Sequence, residues 1–185
     1  MSAGTLYVVL VLVGVAAFFV AMALRAYFRY HGTRVVHCPE TQRPAAVRID
    51  AAHAAVGAAW DRAELRLEQC SRWPERADCA QDCLSEIAAA PHDCLVRSIL
   101  ARWYAGKTCV YCGKAISLFT HAQQPALRAP DGRTFDFVAL PPEELVAHLD
   151  EFAPVCFDCH LTRQFRSEHP ELVTEDRRDA VGVVK

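Results

Sequence analysis

Four cysteines in the C-terminal half of the chain occur as two Cys-x-x-Cys pairs, Cys109 with Cys112 and Cys156 with Cys159. A pair with this spacing places two sulfurs about 3.5–4 Å apart on one tetrahedral Zn²⁺, with Zn–S bonds of about 2.3 Å. Gly113 follows the first pair, and glycine permits the positive φ that lets a backbone N–H approach a thiolate. The two pairs therefore predict one metal centre with four thiolate ligands.

The order of elements around these pairs resembles the treble-clef and zinc-ribbon class of zinc modules. A cysteine knuckle comes first, a hairpin signal follows in residues 126–137, and the second pair opens a helix. The resemblance covers residues 107–172 and implies that Cys109, Cys112, Cys156 and Cys159 supply all four zinc ligands. The 43 residues between the pairs exceed the roughly 15–20 of the compact pattern. The hairpin and a helix at residues 141–149 fill the additional length.

Cys156, Cys159 and His160 also form a Cys-x-x-Cys-His sequence, which resembles the haem attachment motif of c-type cytochromes. This resemblance implies two thioether bonds to haem and His160 as the axial ligand. Met1 and Met22 are the only methionines, and both lie in the apolar N-terminal segment, so a distal methionine is not expected. A membrane-anchored monohaem electron carrier is thus the alternative to the zinc interpretation.

A second group of cysteines lies earlier in the chain, at Cys70, Cys79, Cys83 and Cys94. The i, i+4 spacing of Cys79 and Cys83 would put both thiols on one face of a helix expected at residues 79–90. A second zinc ion, an iron–sulfur cluster, buried free thiols and disulfides are all compatible with this group. Cys38 is the ninth cysteine, and it is interpreted as a turn residue, a fifth member of this group or a reactive thiol.

Short strands and helices are expected between the cysteines. Residues 34–38 and 45–50 are predicted to be strands joined by a turn at 39–44, and residues 65–68 a third strand. Helices are predicted at 51–63, 79–90, 92–105, 141–149 and 161–172. Pro-Asp-Gly at 130–132 indicates the turn of a hairpin.

The N-terminal segment, residues 5–24, is an uninterrupted apolar run. Twenty helical residues at about 1.5 Å per residue span about 30 Å, the thickness of a bilayer core. The preceding residues contain no Lys or Arg, which disfavours a cleaved signal peptide. Arg25, Arg29 and Arg34 follow the run, so the positive-inside rule predicts a single-pass plasma-membrane protein with its N-terminus outside and its soluble domain in the cytoplasm.

Composition narrows the functional classes. The formal net charge is −2, which gives no electrostatic reason to expect nucleic acid as a partner. The sequence contains no recognisable Ser-His-Asp arrangement, P-loop or dinucleotide motif. A redox-active dithiol normally begins a helix, whereas Cys112 is followed by Gly113. The sequence does not decide whether the protein is an enzyme, and it favours a non-enzymatic role.

Together these observations predict an α+β protein with a transmembrane helix and a small, cysteine-rich, zinc-bound domain. The expected divisions are an anchor with its basic flank at 1–30, a cysteine-containing α+β lobe at 31–106, the treble-clef or zinc-ribbon-like lobe at 107–172, and a polar tail at 173–185. The expected function is that of a membrane-tethered interaction or assembly module with structural zinc, whose partners are the membrane and another protein.

Overall fold

The computed structural model describes residues 2–73, 75, 78–116 and 124–172. The chain forms two compact units, one of Met1–Arg102 with Leu140–His148 and one of Trp103–Ala139 with Leu149–Lys185. Both units combine helices with short strands, which confirms a mixed helix and sheet protein with an apolar N-terminal helix. The predicted tail at 173–185 lies outside the described residues, and the domain limits drawn from the sequence stay predictions.

The first helix, α1, spans Ala3–Tyr30 and so continues six residues, 25–30, beyond the apolar run. Within the described part of the chain it is the one helix long and apolar enough to cross a membrane. At its end the N–H of His31 donates to the Tyr27 carbonyl oxygen at 2.8 Å. Gly32 then adopts a φ of +103°, a conformation that reverses the chain at little cost only for glycine.

The strands β1 (Thr33–Cys38), β2 (Arg43–Ile49) and β3 (Leu67–Cys70) form an antiparallel sheet in that order. The predicted hairpin is confirmed, with Cys38 paired to Arg43 at its closed end. The third strand begins two residues later than expected, at 67 rather than 65. This sheet brings Cys38 and Cys70 to the same unit of the structure.

Four helices complete the first unit: α2 (Ala51–Trp60), α3 (Leu84–Ala89), α4 (Val96–Tyr104, whose last two residues belong to the second unit) and α5 (Pro142–Ala147). The α5 helix packs on β2 and β1, although it follows the hairpin of the second unit in sequence. The buried core includes Val36, Val47, Ile49, Ala54 and Ile87. Val47 and Ile49 are alternate residues of β2, and they pack with Val36 of β1 and with Ala54 and Ile87 of the helices.

The helix predicted at residues 79–90 is shorter than expected. It begins only at Leu84, and Cys83 occupies the position before it. Gln81 has a φ of +59°, and the N–H of Leu84 donates to its carbonyl oxygen at 2.9 Å. The placement of Cys79 and Cys83 on one helical face is therefore wrong, because a tight turn at Gln81 separates them.

The α2 helix packs against the C-terminal half of α1. Small residues allow the close approach: Ala51, Ala54 and Ala55 of α2 are buried, as is Ala26 of α1. At the far end of α2 the ring of Trp60 lies 5.5 Å from the ring of Phe19, centroid to centroid. The α2 helix therefore runs back along α1 to the level of its apolar segment.

The second unit contains a three-stranded antiparallel sheet in the order β5-β4-β6, followed by α6. The predicted hairpin is confirmed as β4 (Ala126–Arg128) and β5 (Thr134–Phe135), with Gly132 at a φ of +90° in the turn. The sequence did not predict β6 (Ala153–Val155), which pairs with β4. The helix α6 spans Phe157–Glu168 and ends before Pro170.

Candidate metal centre

Cys109 and Cys112 lie in a tight turn closed by an isolated bridge between Thr108 and Ala115. The N–H of Cys109 donates to the Lys114 carbonyl oxygen, and the N–H of Gly113 donates to the Cys109 carbonyl oxygen, both at 2.9 Å. Gly113 has a φ of +70°, the positive φ that glycine was expected to permit here. The turn therefore holds the two cysteine side chains on one side of the backbone.

Cys156 and Cys159 lie at the start of α6. Cys156 is extended, with φ −73° and ψ 156°, and the helix begins at the next residue. The N–H of His160 donates to the Cys156 carbonyl oxygen at 3.0 Å, and the N–H of Val110 donates to that of Pro154 at the same distance. The second bond joins the first cysteine turn to β6, two residues before Cys156.

The sulfurs of Cys109, Cys112, Cys156 and Cys159 all lie within 4.8 Å of one another. The sulfurs of Cys112 and Cys156 are 3.7 Å apart, close to the separation expected for two ligands of one tetrahedral zinc ion. Cys109 is buried and Cys112 is exposed, so one face of the group is open to solvent. The structure therefore supports a cysteine-rich metal site at the predicted residues.

Backbone N–H groups converge on the sulfur of Cys109. Burial opposes ionisation there, but the N–H groups of Cys156, Tyr111 and Cys112 outweigh it and lower the pKa of Cys109 to about 6. Burial and the neighbouring thiols raise the pKa of Cys159 to about 12. Four thiolates in one place thus repel one another, and a cation is the natural means of keeping all four deprotonated.

The buried residues packed around this group include Cys109, Ala126 and Val155, with Tyr111, Ile116, Cys156 and Cys159 partly buried against them. Tyr104, Leu127 and Leu149 are further buried residues of the second unit. The four cysteines are free thiols in the structure, so their sulfurs are available as metal ligands.

His160 is buried in α6, and its Nε2 lies 3.3 Å from Oδ1 of Asp136. Among the described residues it does not join the four cysteines in the metal-binding group. Cys156 and Cys159 are instead gathered with Cys109 and Cys112. The geometry therefore gives the haem alternative no support.

The earlier cysteines are arranged differently from the sequence-based grouping. Cys70, Cys79 and Cys83 line one small cavity of the first unit, and Cys38 lines it with them. The described lining does not include Cys94. Its sulfur lies 3.6 Å and 3.8 Å from the carbonyl oxygens of Ala90 and Pro91.

Sequence reasoning missed the environment of Tyr111, the residue between Cys109 and Cys112. The guanidinium of Arg163 lies 3.6 Å from the centre of its ring, and that of Arg128 lies 5.6 Å away. Both distances are within the range of cation–π attraction. Neither arginine is near Tyr111 in sequence, so no local pattern could have indicated that two cations flank the first cysteine turn.

Comparison of the chain with protein-family models, with curated proteins and with solved structures found no match.

Proposed function

We propose that the protein is a membrane-tethered module in which one Zn²⁺, bound by Cys109, Cys112, Cys156 and Cys159, stabilises the second unit for binding to another protein. The observation that supports this most directly is the gathering of the four sulfurs within 4.8 Å. Four thiolates complete a tetrahedral coordination shell, so the ion has no open position for a substrate. The zinc is structural in this proposal, and no enzymatic activity is assigned.

The local architecture favours a treble-clef-like module. A cysteine turn at Cys109 precedes the β4–β5 hairpin, and the second cysteine pair opens α6. These elements occur in the order of that class, and the hydrogen bond from Val110 to Pro154 joins the two ligand-bearing segments. A structural zinc ion contributes about 10–16 kcal/mol of apparent binding energy at neutral pH. A whole domain has only about 5–15 kcal/mol of net stability, so the second unit would depend on its metal.

The membrane tether is proposed from α1. Its length and apolar composition suit a bilayer, and Arg25 and Arg29 follow the apolar run. The opposite flank has no Lys or Arg, so the positive-inside rule places the C-terminus in the cytoplasm. A reporter fused after Lys185 should be active on the cytoplasmic side. Activity only on the exported side would refute this topology and revive the haem alternative.

A protein partner is proposed from the surface of α6. Leu161 and Phe165 are four residues apart, on one face of the helix, and are 52% and 48% exposed. Arg163 and Arg166 line a groove with Tyr111 on a different face of the same helix. A partner with an apolar segment would suit the face of Leu161 and Phe165, and carboxylates would suit the groove beside the two arginines. In membranes, a photo-cross-linker at Leu161 should capture such a partner, and Phe165→Asp should abolish capture while zinc content stays unchanged.

The metal assignment is tested on the full chain in detergent, by elemental analysis and absorption spectroscopy. Cys109→Ser and Cys159→Ser should each lose one zinc per chain and lower the melting temperature of the second unit. Cys94→Ser is the matched control, because Cys94 is a buried cysteine outside the group, and it should retain zinc. Covalently bound iron with a Soret band, lost in His160→Ala but kept in Cys109→Ser, would overturn the zinc proposal. Iron in place of zinc without haem would correct the identity of the ion only.

A further inference from the structure

The first unit contains a small cavity of about 20 Å³ whose walls include four thiols. Val36, Val47 and Leu67 form part of its apolar surroundings. A volume of this size holds about one water molecule or one ion. The four cysteines that line it are Cys38, Cys70, Cys79 and Cys83.

The turn that carries Cys38 has the backbone geometry of the turn that carries Cys109. The N–H of Gln42 donates to the Cys38 carbonyl oxygen at 2.8 Å, just as the N–H of Gly113 donates to the Cys109 carbonyl oxygen at 2.9 Å. In both turns this fourth residue after the cysteine has a positive φ, +53° at Gln42 and +70° at Gly113. Gln42 adopts this conformation without the freedom of glycine, which indicates that the turn is held by its surroundings.

In each of the two turns, backbone N–H groups face the sulfur of the first cysteine. The backbone N–H groups of Glu40 and Thr41 face the sulfur of Cys38. Those of Tyr111 and Cys112 face the sulfur of Cys109. Hydrogen bonds of this kind orient a ligating sulfur and partly neutralise a thiolate. Cys38 therefore occupies the position of the first ligand in a cysteine turn, with Thr41 in place of the second cysteine.

The other three cysteines complete a set of four from two further segments. Cys70 is the last residue of β3, and the N–H of Arg72 faces its sulfur. Cys79 and Cys83 flank the turn at Gln81 that delays the start of α3. The irregular backbone that breaks the expected helix thus brings both thiols to the cavity.

The electrostatic coupling of these thiols agrees with their placement. Burial, together with the charges of Cys70, Cys79 and Cys38, raises the pKa of Cys83 to about 11. Burial also raises the pKa of Cys70, to which Cys79 and Cys38 contribute in the same sense. The charged neighbours of Cys94 are instead Arg34, Glu86 and Asp93.

We infer that Cys38, Cys70, Cys79 and Cys83 form a second zinc site, separate from the one formed by Cys109, Cys112, Cys156 and Cys159. Cys38 takes the place that sequence spacing suggested for Cys94. The cavity suits a single ion rather than an iron–sulfur cluster, which needs additional room for inorganic sulfide. Among the described residues only the other set has every ligand atom within 4.8 Å, so ion binding must draw these four side chains inward by rotation about their Cα–Cβ bonds.

Zinc stoichiometry of the full chain in detergent tests the inference. The unmodified protein should bind two zinc ions, and Cys38→Ser and Cys79→Ser should each bind one. Cys94→Ser, the matched control, should bind two, and Cys38→Ser combined with Cys109→Ser should bind none. One zinc in the unmodified protein, lost in Cys109→Ser but kept in Cys38→Ser, would overturn the second site and leave the proposed function intact. Loss of zinc from Cys38→Ser, with the zinc content of Cys109→Ser unchanged, would support the second site and refute the zinc site of the proposed function.

A second measurement needs no variant and so does not depend on whether a variant folds. Alkylation of the unmodified protein, followed by mass spectrometry, compares thiol labelling with zinc present and after chelation. Cys38, Cys70, Cys79 and Cys83 should be protected by zinc and labelled after its removal. Labelling of Cys38 in the presence of saturating zinc, at the rate seen after chelation, would contradict the site. A disulfide between any two of the four in the freshly isolated protein would contradict it as well.

Discussion

Arg34 donates from Nη1 to the carbonyl oxygen of Tyr30 at 2.6 Å, at the end of α1. The same guanidinium donates to the carbonyl oxygens of Gly32, Arg29 and Pro91 at 2.9, 2.7 and 3.2 Å. Its side chain is fully buried. An arginine that the sequence placed in the basic flank of the anchor therefore satisfies the carbonyl groups that the helix end leaves unpaired.

Replacing Arg34 by lysine should strongly destabilise the first unit. Lysine keeps the positive charge but lacks the planar fork of donors, so several of the four carbonyl groups lose their partner, including at least one in the buried bonds to Tyr30 and Pro91. We expect a loss of at least about 2 kcal/mol in the free energy of unfolding, since each unsatisfied buried group costs about 1–3 kcal/mol. Chemical denaturation of the full chain in detergent measures it.

Arg48→Lys is the control for this change. Arg48 is about half exposed, and it forms a surface ion pair with Glu68 at 3.1 Å. Exposed pairs contribute about 0–1 kcal/mol, so this variant should be nearly as stable as the unmodified protein. Equal stability of the two variants would show that the Arg34 hydrogen bonds do not hold the helix end.

Gly113→Ala should weaken zinc binding at the second unit. A Cβ at this position would meet no other atom, but the φ of +70° is unfavourable for alanine by about 1–2 kcal/mol. The turn must then relax, and the N–H groups that face the Cys109 sulfur shift with it. We expect a roughly tenfold loss of zinc affinity, equivalent to about 1.4 kcal/mol, in a competition titration with a chromogenic chelator.

Gly106→Ala separates backbone strain from metal binding. Gly106 has a φ of +74°, and a Cβ there would likewise meet open space. It lies before the cysteine turn, so its substitution should lower stability by a similar amount and leave zinc affinity unchanged. Equal loss of zinc affinity in both variants would mean that Gly113 acts only through global stability.

Tyr104 should give the second unit an alkaline limit. Its hydroxyl donates to the Ala126 carbonyl oxygen at 2.8 Å, and burial, with the charge of Asp136, holds the pKa of Tyr104 above its usual range. Tyrosine in the unfolded chain ionises at a pH of about 10. The stability that the Tyr104 hydroxyl contributes is therefore fully present below that pH and falls as the pH rises beyond it. Tyr104→Phe should cost about 1 kcal/mol near neutrality. In thermal melts, the difference in stability between Tyr104→Phe and the unmodified protein should shrink above a pH of about 10. A difference that stays constant with pH would be evidence against the Tyr104 hydroxyl as the stabilising group.

Trp60 should lie at the membrane interface. Its side chain is 80% exposed in the structure, and its ring contacts that of Phe19 in the apolar run. Tryptophan is enriched where the bilayer meets water. In vesicles, a chain that retains only Trp60 should be quenched by lipids brominated near the head group. The matched chain that retains only Trp73, a residue packed against the core of the first unit, should not, and equal quenching would contradict this placement.

The elements that sequence reasoning predicted are those with local signals. An uninterrupted apolar run predicted α1, and the turn between residues 39 and 44 predicted the β1–β2 hairpin. Pro-Asp-Gly predicted the β4–β5 hairpin, where Asp131 accepts from the N–H of Arg133 at 2.9 Å. The four cysteines of the candidate metal centre could also be predicted from the sequence, because each Cys-x-x-Cys pair lies within one turn of backbone.

The features that sequence reasoning missed depend on contacts between distant segments. The strand β6 has three residues, includes Pro154, and exists because it pairs with β4. The burial of Arg34 depends on carbonyl groups from α1 and from Pro91. The β1–β2–β3 sheet brings Cys38 and Cys70 to one cavity, whereas sequence spacing alone grouped Cys94 with Cys70. Charge and spacing show which groups a chain contains, but not which of them folding brings together.

In the proposed membrane tether, the continuity of α1 with the first unit would set the height of that unit above a bilayer. From Leu24 to Tyr30 the helix rises by about 9 Å, and Arg34 then fastens its end to the following strand without a flexible linker. A tilt of the proposed anchor would therefore be transmitted to the first unit. A tether of this kind would confine the search for a partner to a thin layer at the membrane and raise the effective concentration there. The proposed partner would then be a protein that presents its surface within that layer.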